Sequence, residues 1–267
     1  MSEIHIIKNE IDKKSSISNS TLLLMLENIG SVNSKLRDEV IYGGWYDLLI
    51  DNKRLTIEQK RFLLNYIFEN KLLFHGIDSE QSNDVFTRSF TSLLLVLLLE
   101  NHYEENWISK EEEIRIIKES IFYMRTEKDN RGFVEVKEWA HAFAHGADLL
   151  GAISQSEYLN KNISIEILEI MKRALIDIEN FLYGEEGRFA KATTLLVKNS
   201  KISTEELSLW IEETSGELLK NNVRNICWKN YVSFVLISFR IENLLNNEIE
   251  SKIMNYLGKF YLKYGCL

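Results

Sequence analysis

The chain has 267 residues, 45% of them hydrophobic, which is ample for a sizeable core in one large domain or two small ones and excludes a disordered chain. Its formal net charge is -8, and no Lys/Arg run is longer than a pair. Binding to a phosphate backbone is therefore excluded as the main task, and nucleic acid is not an expected partner.

Residues 1–18 (MSEIHIIKNEIDKKSSIS) lack a basic leader followed by an apolar core, so they do not read as a signal peptide, and they form a polar, weakly patterned arm. The longest apolar run, Leu93 to Leu99, is far below the ~20 residues that span a bilayer. The expectation is a cytoplasmic protein without a membrane partner. Cys227 and Cys266 stand far apart and in no metal-like spacing, as reduced thiols in apolar sites would.

From residue 19 the pattern is helical throughout. The chain contains no proline, so helices can run uninterrupted. Helical segments are expected over 20–29, 33–50 (interrupted at Gly43 and Gly44), 56–75, 84–101, 109–125, 135–154, 163–183, 188–199, 204–221, 223–245 and 248–264. Thr56 with Gln59 and Ser203 with Glu206 have capping-box spacing, and Asp84 can cap the segment it opens. Hairpin signals are nearly missing.

Helix pairs recur at about 50 residues, somewhat above the range of HEAT-type repeats. The fold class expected is therefore all-α, an α/α superhelix of about ten to eleven helices forming a single helical-repeat domain over 19–267, with a closed bundle as the alternative. Residues 90–99 and 231–239 are apolar all round, which predicts helices surrounded by protein, with the helix at 135–154 packed near one of them.

That helix holds the densest chemistry. At 100° per residue, His141, His145 and Asp148 share one narrow face, with Trp139, Phe143, Gly146 and Leu150 opposite. Ala140, Ala144, Ala147 and Gly151 make a stripe of small residues that invites a close helix neighbour.

The same segment, RGFV followed by WAHAFAHGADLL, resembles the signature of a bacterial family catalogued only as a domain of unknown function. LRDEV at 36–40, DVFTRSFTSL at 84–93 and NYVSFVLISFRIEN at 230–243 agree with it in order, so the similarity spans nearly everything after residue 20. One departure is Glu138, where the family usually has Gly before the Trp, which bears on any close backbone approach there. The resemblance implies a helical-repeat fold and assigns no activity.

Two histidines at i, i+4 can share a metal in HExxH enzymes, where a Glu beside the first is the general base. Here that position is Ala142, and Asp148 lies about 10.5 Å along the axis from His141, too far for easy coordination of one ion by all three. No metal and no cofactor are expected. His145 and Asp148 are better placed as a pair in which the carboxylate orients the imidazole.

Arg131 and Gly132 are candidates to hold an anion at the helix N-terminus, with a simple turn as the alternative. Arg88 is expected to point at the His141/His145/Asp148 edge, bonding Asp148 or an anionic ligand, with Asp84 as the local alternative. The YGEEGR loop at 183–188 reads as solvated, and Trp210, Trp228, Tyr256, Tyr261 and Tyr264 as core or rim.

GxSxG, P-loop and GxGxxG fingerprints are missing. The sequence therefore favours a binding or interaction module for a peptide, protein or small anionic ligand. Its site would be formed by His141, His145, Asp148, Arg88, Arg131 and Trp139. The alternative is a hydrolase or lyase with His145 as general base oriented by Asp148.

Overall fold

The computed structural model describes residues 2–13, 15–79, 81–178, 181–221 and 223–265. Cys266 lies outside the described residues. Among the described residues the protein is all-α apart from one short hairpin, and the chain divides into two compact units, Met1–Ile153 and Ser154–Leu267. Among the described residues no helix is long and apolar enough to cross a membrane.

The first unit opens with α1 (Glu3–Asp12) and α2 (Asn19–Glu27). The stretch expected as a polar arm thus contains a helix, because Ile7 points inward and is fully buried. Ser18 caps α2 through the Thr21 N–H, and its hydroxyl and N–H both donate to Glu10, fastening the end of α1 to the start of α2.

Residues 35–51 wind on without a break as a π-helical stretch (Lys35–Tyr42), one α turn, α3 (Gly43–Tyr46), and a second π-helical stretch (Asp47–Asp51). The expected interruption at the two glycines is instead a change of winding. A β-carbon on Gly44 would fall 2.5 Å from Ile11 Cδ1, so glycine there lets α1 lie against this helix.

The Thr56/Gln59 capping box opens α4 (Ile57–Glu69) as expected. Next come α5 (Asp84–Glu105) and α6 (Lys110–Thr126), the latter opened by a further capping box of Ser109 and Glu112. The N-cap of α5 is Asn83, and Asp84 already belongs to the helix.

Helix α5 carries the core of the unit. From Val85 to Leu99 nearly every residue is buried, including Phe86, Phe90, Leu94 and Leu98. Burying side chains of this size stabilises the fold by about 1.5–3 kcal/mol each.

A further structural departure comes after α6. Residues expected to begin a helix at 135 form an antiparallel hairpin, β1 (Phe133–Val134) with β2 (Glu138–Trp139), and α7 starts only at Ala142 and ends at Ile153. Phe133, Val134 and Trp139 are β-branched or aromatic residues of the types that favour a strand, and this local preference outweighs the helical spacing. Helix α7 packs against α5 and α6, and its approach to α6 is close: a β-carbon on Gly146 would meet Met124 Sδ at 2.0 Å.

The second unit contains α8 (Lys161–Asp177), α9 (Glu185–Lys198), α10 (Thr204–Lys220), α11 (Ile226–Ile241) and α12 (Asn247–Tyr264). Helices pair with their next-but-one neighbours, α9 with α11 and α10 with α12. The residues expected as one domain over 19–267 are therefore distributed between two units.

Helix α11 is also less enclosed than its apolar sequence suggests. Trp228, Tyr231, Val235 and Phe239 are buried, whereas Ile237 is 54% exposed and Phe234 and Ile241 are exposed as well. Glu185 and Glu186, expected to be solvated, are buried at the start of α9, where Glu186 accepts from Asn230. Cys227 is half-buried with its thiol pKa raised by burial, the state of an unreactive thiol.

Candidate functional site

Helix α7 buries ten of its twelve residues, and the two that reach the surface are His145 and Asp148. His141, one residue before the helix, is partly exposed as well. The edge expected from helical spacing is therefore present, although His141 reaches it from outside the helix. Its φ is +47°, its N–H donates to the Arg131 carbonyl, and its carbonyl accepts the His145 N–H at 2.9 Å, closing the first turn of α7.

Trp139 is displaced further from its expected place. Helical geometry puts it opposite the histidines, but on the strand its ring stacks on His141 with centroids 4.5 Å apart and planes at 19°. Phe133 meets the same indole edge-on at 5.1 Å. Trp139 keeps 38% of its surface exposed, so part of this aromatic platform reaches the surface beside the histidine edge.

Three non-glycine residues of this short segment have positive φ: Val136 (+68°), Glu138 (+61°) and His141 (+47°). Val136 sits at the tip of the hairpin, 88% exposed, in a turn closed by the Lys137 N–H to the Val134 carbonyl. A positive φ costs an L-residue about 1–2 kcal/mol, so the surroundings must hold this backbone in place. Glu138 is held in the left-handed region that favours glycine.

Two residues do most of the holding, and sequence reasoning missed both. Arg37, fully buried, donates from Nη2 to the Lys137 carbonyl at 2.8 Å and from Nη1 to the Ser31 carbonyl at 2.8 Å. It also pairs with Asp38 at 2.7 Å, and its guanidinium lies 4.3 Å from the Phe86 ring centroid and 4.8 Å from that of Phe90. Burial pushes the Arg37 pKa down and the Asp38 pKa up, against their mutual attraction, and the nearby Glu138 and Glu39 raise Asp38 further. Arg37 is the buried cation of a locally acidic corner.

The second is Ser89, fully buried on α5. Its hydroxyl contacts both the Ala140 carbonyl oxygen and His145 Nδ1, the latter at 2.8 Å. The carbonyl can only accept, so the single hydroxyl proton is committed to it, and His145 must donate from Nδ1. A neutral His145 consequently carries its lone pair on Nε2. Phe90 packs edge-on against the same imidazole at 5.5 Å and against Tyr42 at 6.3 Å, so the ring of His145 is fixed by a serine on one side and a phenylalanine on the other.

Arg88 does not carry out the role expected of it. Its Nε and Nη2 donate to the two oxygens of Glu127 at 2.8 and 3.0 Å, and Nη1 donates to the carbonyls of His75 and Gly76. Both side chains of the pair are 1% exposed. Burial alone would lower the Arg88 pKa, but the hydrogen bonds and charge of Glu127 leave it raised. The alternative partner, Asp84, pairs instead with His75 at 3.3 Å.

Arg131 is committed in the same way, clasping Asp129 from Nε and Nη2 and donating to the Ser82 carbonyl. A cleft of about 200 Å³ opens over the Arg88–Glu127 pair, lined also by Asp78, Ser79, Gln81 and Asp129, and the histidine edge takes no part in it. Among the described residues no group of three or more His, Cys, Asp or Glu is placed to hold a metal ion.

The parts that meet at the edge come from separate strings of the sequence: LRDEV supplies Arg37 and Asp38, DVFTRSF supplies Phe86, Ser89 and Phe90, and WAHAFAHGAD supplies the platform and the edge. No curated protein and no solved structure matches the chain. Residues 73–239 match the family described as "Protein of unknown function (DUF2785)", a match that runs through DVFTRSF and the histidine segment and leaves LRDEV outside it. Since the match covers more than half of the sequence, the chain belongs to the DUF2785 family.

Proposed function

We propose that the protein is a binding module whose site is the edge formed by His141, His145 and Asp148, with the Trp139 platform beside it. The observation that carries this reading is the burial pattern of α7. A helix that packs ten of twelve residues into protein and leaves only a histidine and an aspartate at the surface presents two polar groups on a rigid base. A merely solvated face needs no such support, yet here the imidazole is oriented by Ser89 and Phe90, and the flanking backbone is held in an unfavourable conformation by Arg37.

A second reading, general-base catalysis by His145, is favoured by one specific feature: the Ser89 contact fixes the tautomer that carries the acceptor on Nε2. The module remains the better supported reading, because the hydroxyl closest to His145 is buried and its proton is committed to a carbonyl, so Ser89 is not an activatable nucleophile.

The test is a thermal-shift screen against organic cations, polyols, small carboxylates and divalent metals. At least one class should raise the midpoint of the wild type and fail to do so in His145→Ala and Trp139→Leu variants that remain folded. Stabilisation that persists unchanged in both variants would remove the site from this edge.

A further inference from the structure

The turn between α5 and α6 is built around a different histidine. Asn106 ends α5 in the left-handed conformation and Ser109 caps α6, so Trp107 and Ile108 lie between the two helices and belong to neither ladder. Among the described residues neither of their backbone N–H groups meets a backbone acceptor. Both donate instead to a single atom, His102 Nδ1, at 3.0 and 2.9 Å.

The same turn is where helices of the first unit are fastened together. The Trp107 indole N–H donates to Asn101 of α5, and Arg61 of α4 donates to the Trp107 carbonyl at 2.8 Å and to Glu112 of α6. Trp107, Ile108 and His102 are all buried. One imidazole lone pair thus supplies the acceptor for both amides of a turn that α4, α5 and α6 share.

That acceptor exists only while the ring is neutral. An imidazolium carries a hydrogen on each nitrogen and accepts on neither, so a proton on Nδ1 and a closed turn exclude each other. The charged and titratable groups around this corner are Glu112 and Glu113 of α6, Tyr103 of α5 beside Glu113, Arg61 of α4 on Glu112, and the Lys60–Glu105 pair between α4 and α5. Glu113 is buried, and its carboxylate stands 3.8 Å from His102 Nε2, placed to pair with an imidazolium once one forms. Burial pulls the His102 pKa down, more than Glu113 and Glu112 raise it, so the closed turn keeps the ring neutral.

We infer that His102 is an acid-sensitive latch: protonation of Nδ1 releases the Trp107 and Ile108 amides and opens the α5–α6 turn, with Glu113 as the counter-ion of the imidazolium. In the open turn the ring titrates near the ordinary value of about 6.5, and in the closed turn it titrates lower. Above about pH 6.5 neither form binds the proton, and the latch is indifferent to pH. Below it the open form gains a proton that the closed form refuses, and opening becomes about tenfold more favourable per pH unit until the closed-form pKa is reached.

The experiment is amide hydrogen exchange of the full chain, followed by NMR from about pH 7.5 to 5 and expressed as protection relative to the unstructured rate at each pH, a window set by the ordinary histidine pKa. Protection at Trp107 and Ile108 should be flat above about pH 6.5 and fall about tenfold per unit below it, while Ile117, buried in the middle of α6, keeps its protection. His102→Asn, whose side-chain oxygen accepts hydrogen bonds and does not titrate, should abolish the fall. Glu113→Gln, which removes the neighbouring titratable group, should keep the fall and move its onset to lower pH.

Protection at the two turn amides that ignores pH, a fall shared equally by Ile117, a fall of the same size in folded His102→Asn, or a fall lost in Glu113→Gln would each overturn the latch. The contrast between the turn and Ile117 is read in the wild type, so it decides the matter even where His102→Asn does not fold.

Discussion

Arg88 and Ser89 are consecutive residues of α5, and they lead to two different kinds of region. Arg88 ends in a closed arrangement: a bidentate pair with Glu127, two carbonyls on its third nitrogen, and 1% exposure on either side. Ser89, equally buried, ends one contact later at an imidazole that reaches the surface. The lesson is that a buried charged pair and a buried hydroxyl serve different ends here. The charged pair ties α5 to the chain leaving α6, whereas the serine sets the orientation of a group that solvent and ligands can reach.

The largest effect that would sharpen this contrast is on the closed side. Arg88→Ala leaves the Glu127 carboxylate buried without its cation and should cost about 3–5 kcal/mol of unfolding free energy. Chemical denaturation would show it, and a loss under about 1 kcal/mol would mean the pair is more hydrated than its geometry implies. Ser89→Ala should cost less, about 1–3 kcal/mol, from the unpaired Ala140 carbonyl and His145 donor, and should also release the imidazole from its tautomer. A Ser89→Ala protein whose His145 ring signals are unchanged would break the link between α5 and the edge.

A second histidine extends the comparison. His102, at the end of α5, uses Nδ1 as the acceptor of two backbone N–H groups, Trp107 at 3.0 Å and Ile108 at 2.9 Å, the opposite tautomer from His145. Burial lowers its pKa, more than the neighbouring Glu113 and Glu112 raise it. The fold therefore favours neutral His102, while the unfolded chain protonates near the ordinary value of about 6.5. Above that pH the group contributes nothing, and as pH falls from about 6.5 towards the folded pKa the unfolded state gains protons and stability is lost. Each unit of depression corresponds to about 1.4 kcal/mol. Denaturation midpoints between pH 7.5 and 5.5 should fall in the wild type and fall less in His102→Gln.

The smallest expected effect concerns the hairpin. Glu138→Gly removes the side chain from a φ of +61° and should raise stability by about 0.5–1 kcal/mol after the entropy of the freer unfolded chain is subtracted. A Glu138→Gly protein no more stable than the wild type in chemical denaturation would contradict the backbone reading.

Much of this molecule is legible in the sequence, and the exceptions have physical causes. Helix positions follow from apolar spacing and capping pairs, and the Thr56/Gln59 and Ser203/Glu206 boxes form as their spacing predicts. The His145/Asp148 part of the edge is legible because burial on α7 obeys helical periodicity, while His141 joins it from the residue before the helix. The hairpin is not, because its turn has Val136 and Glu138 at positive φ where a sequence signal would be Asn or Gly, and because Arg37, about a hundred positions earlier, holds the Lys137 carbonyl. Ser89 and Glu127 were missed for a related reason. A buried serine or a post-helical glutamate carries no periodic signature, and its role exists only once its partner is placed beside it. The same limit applies to Arg88: charge balance demands a carboxylate or an anionic ligand and does not say that the partner is Glu127.

The central claim is that the α7 edge is an oriented site and not a solvated helix face. Long-range ¹H–¹⁵N correlation spectra of the five histidine rings at neutral pH test it most directly. The account predicts His145 as the Nδ1–H tautomer and His102 as the Nε2–H tautomer in one spectrum. A His145 ring averaging between tautomers, or held as Nε2–H, would contradict it.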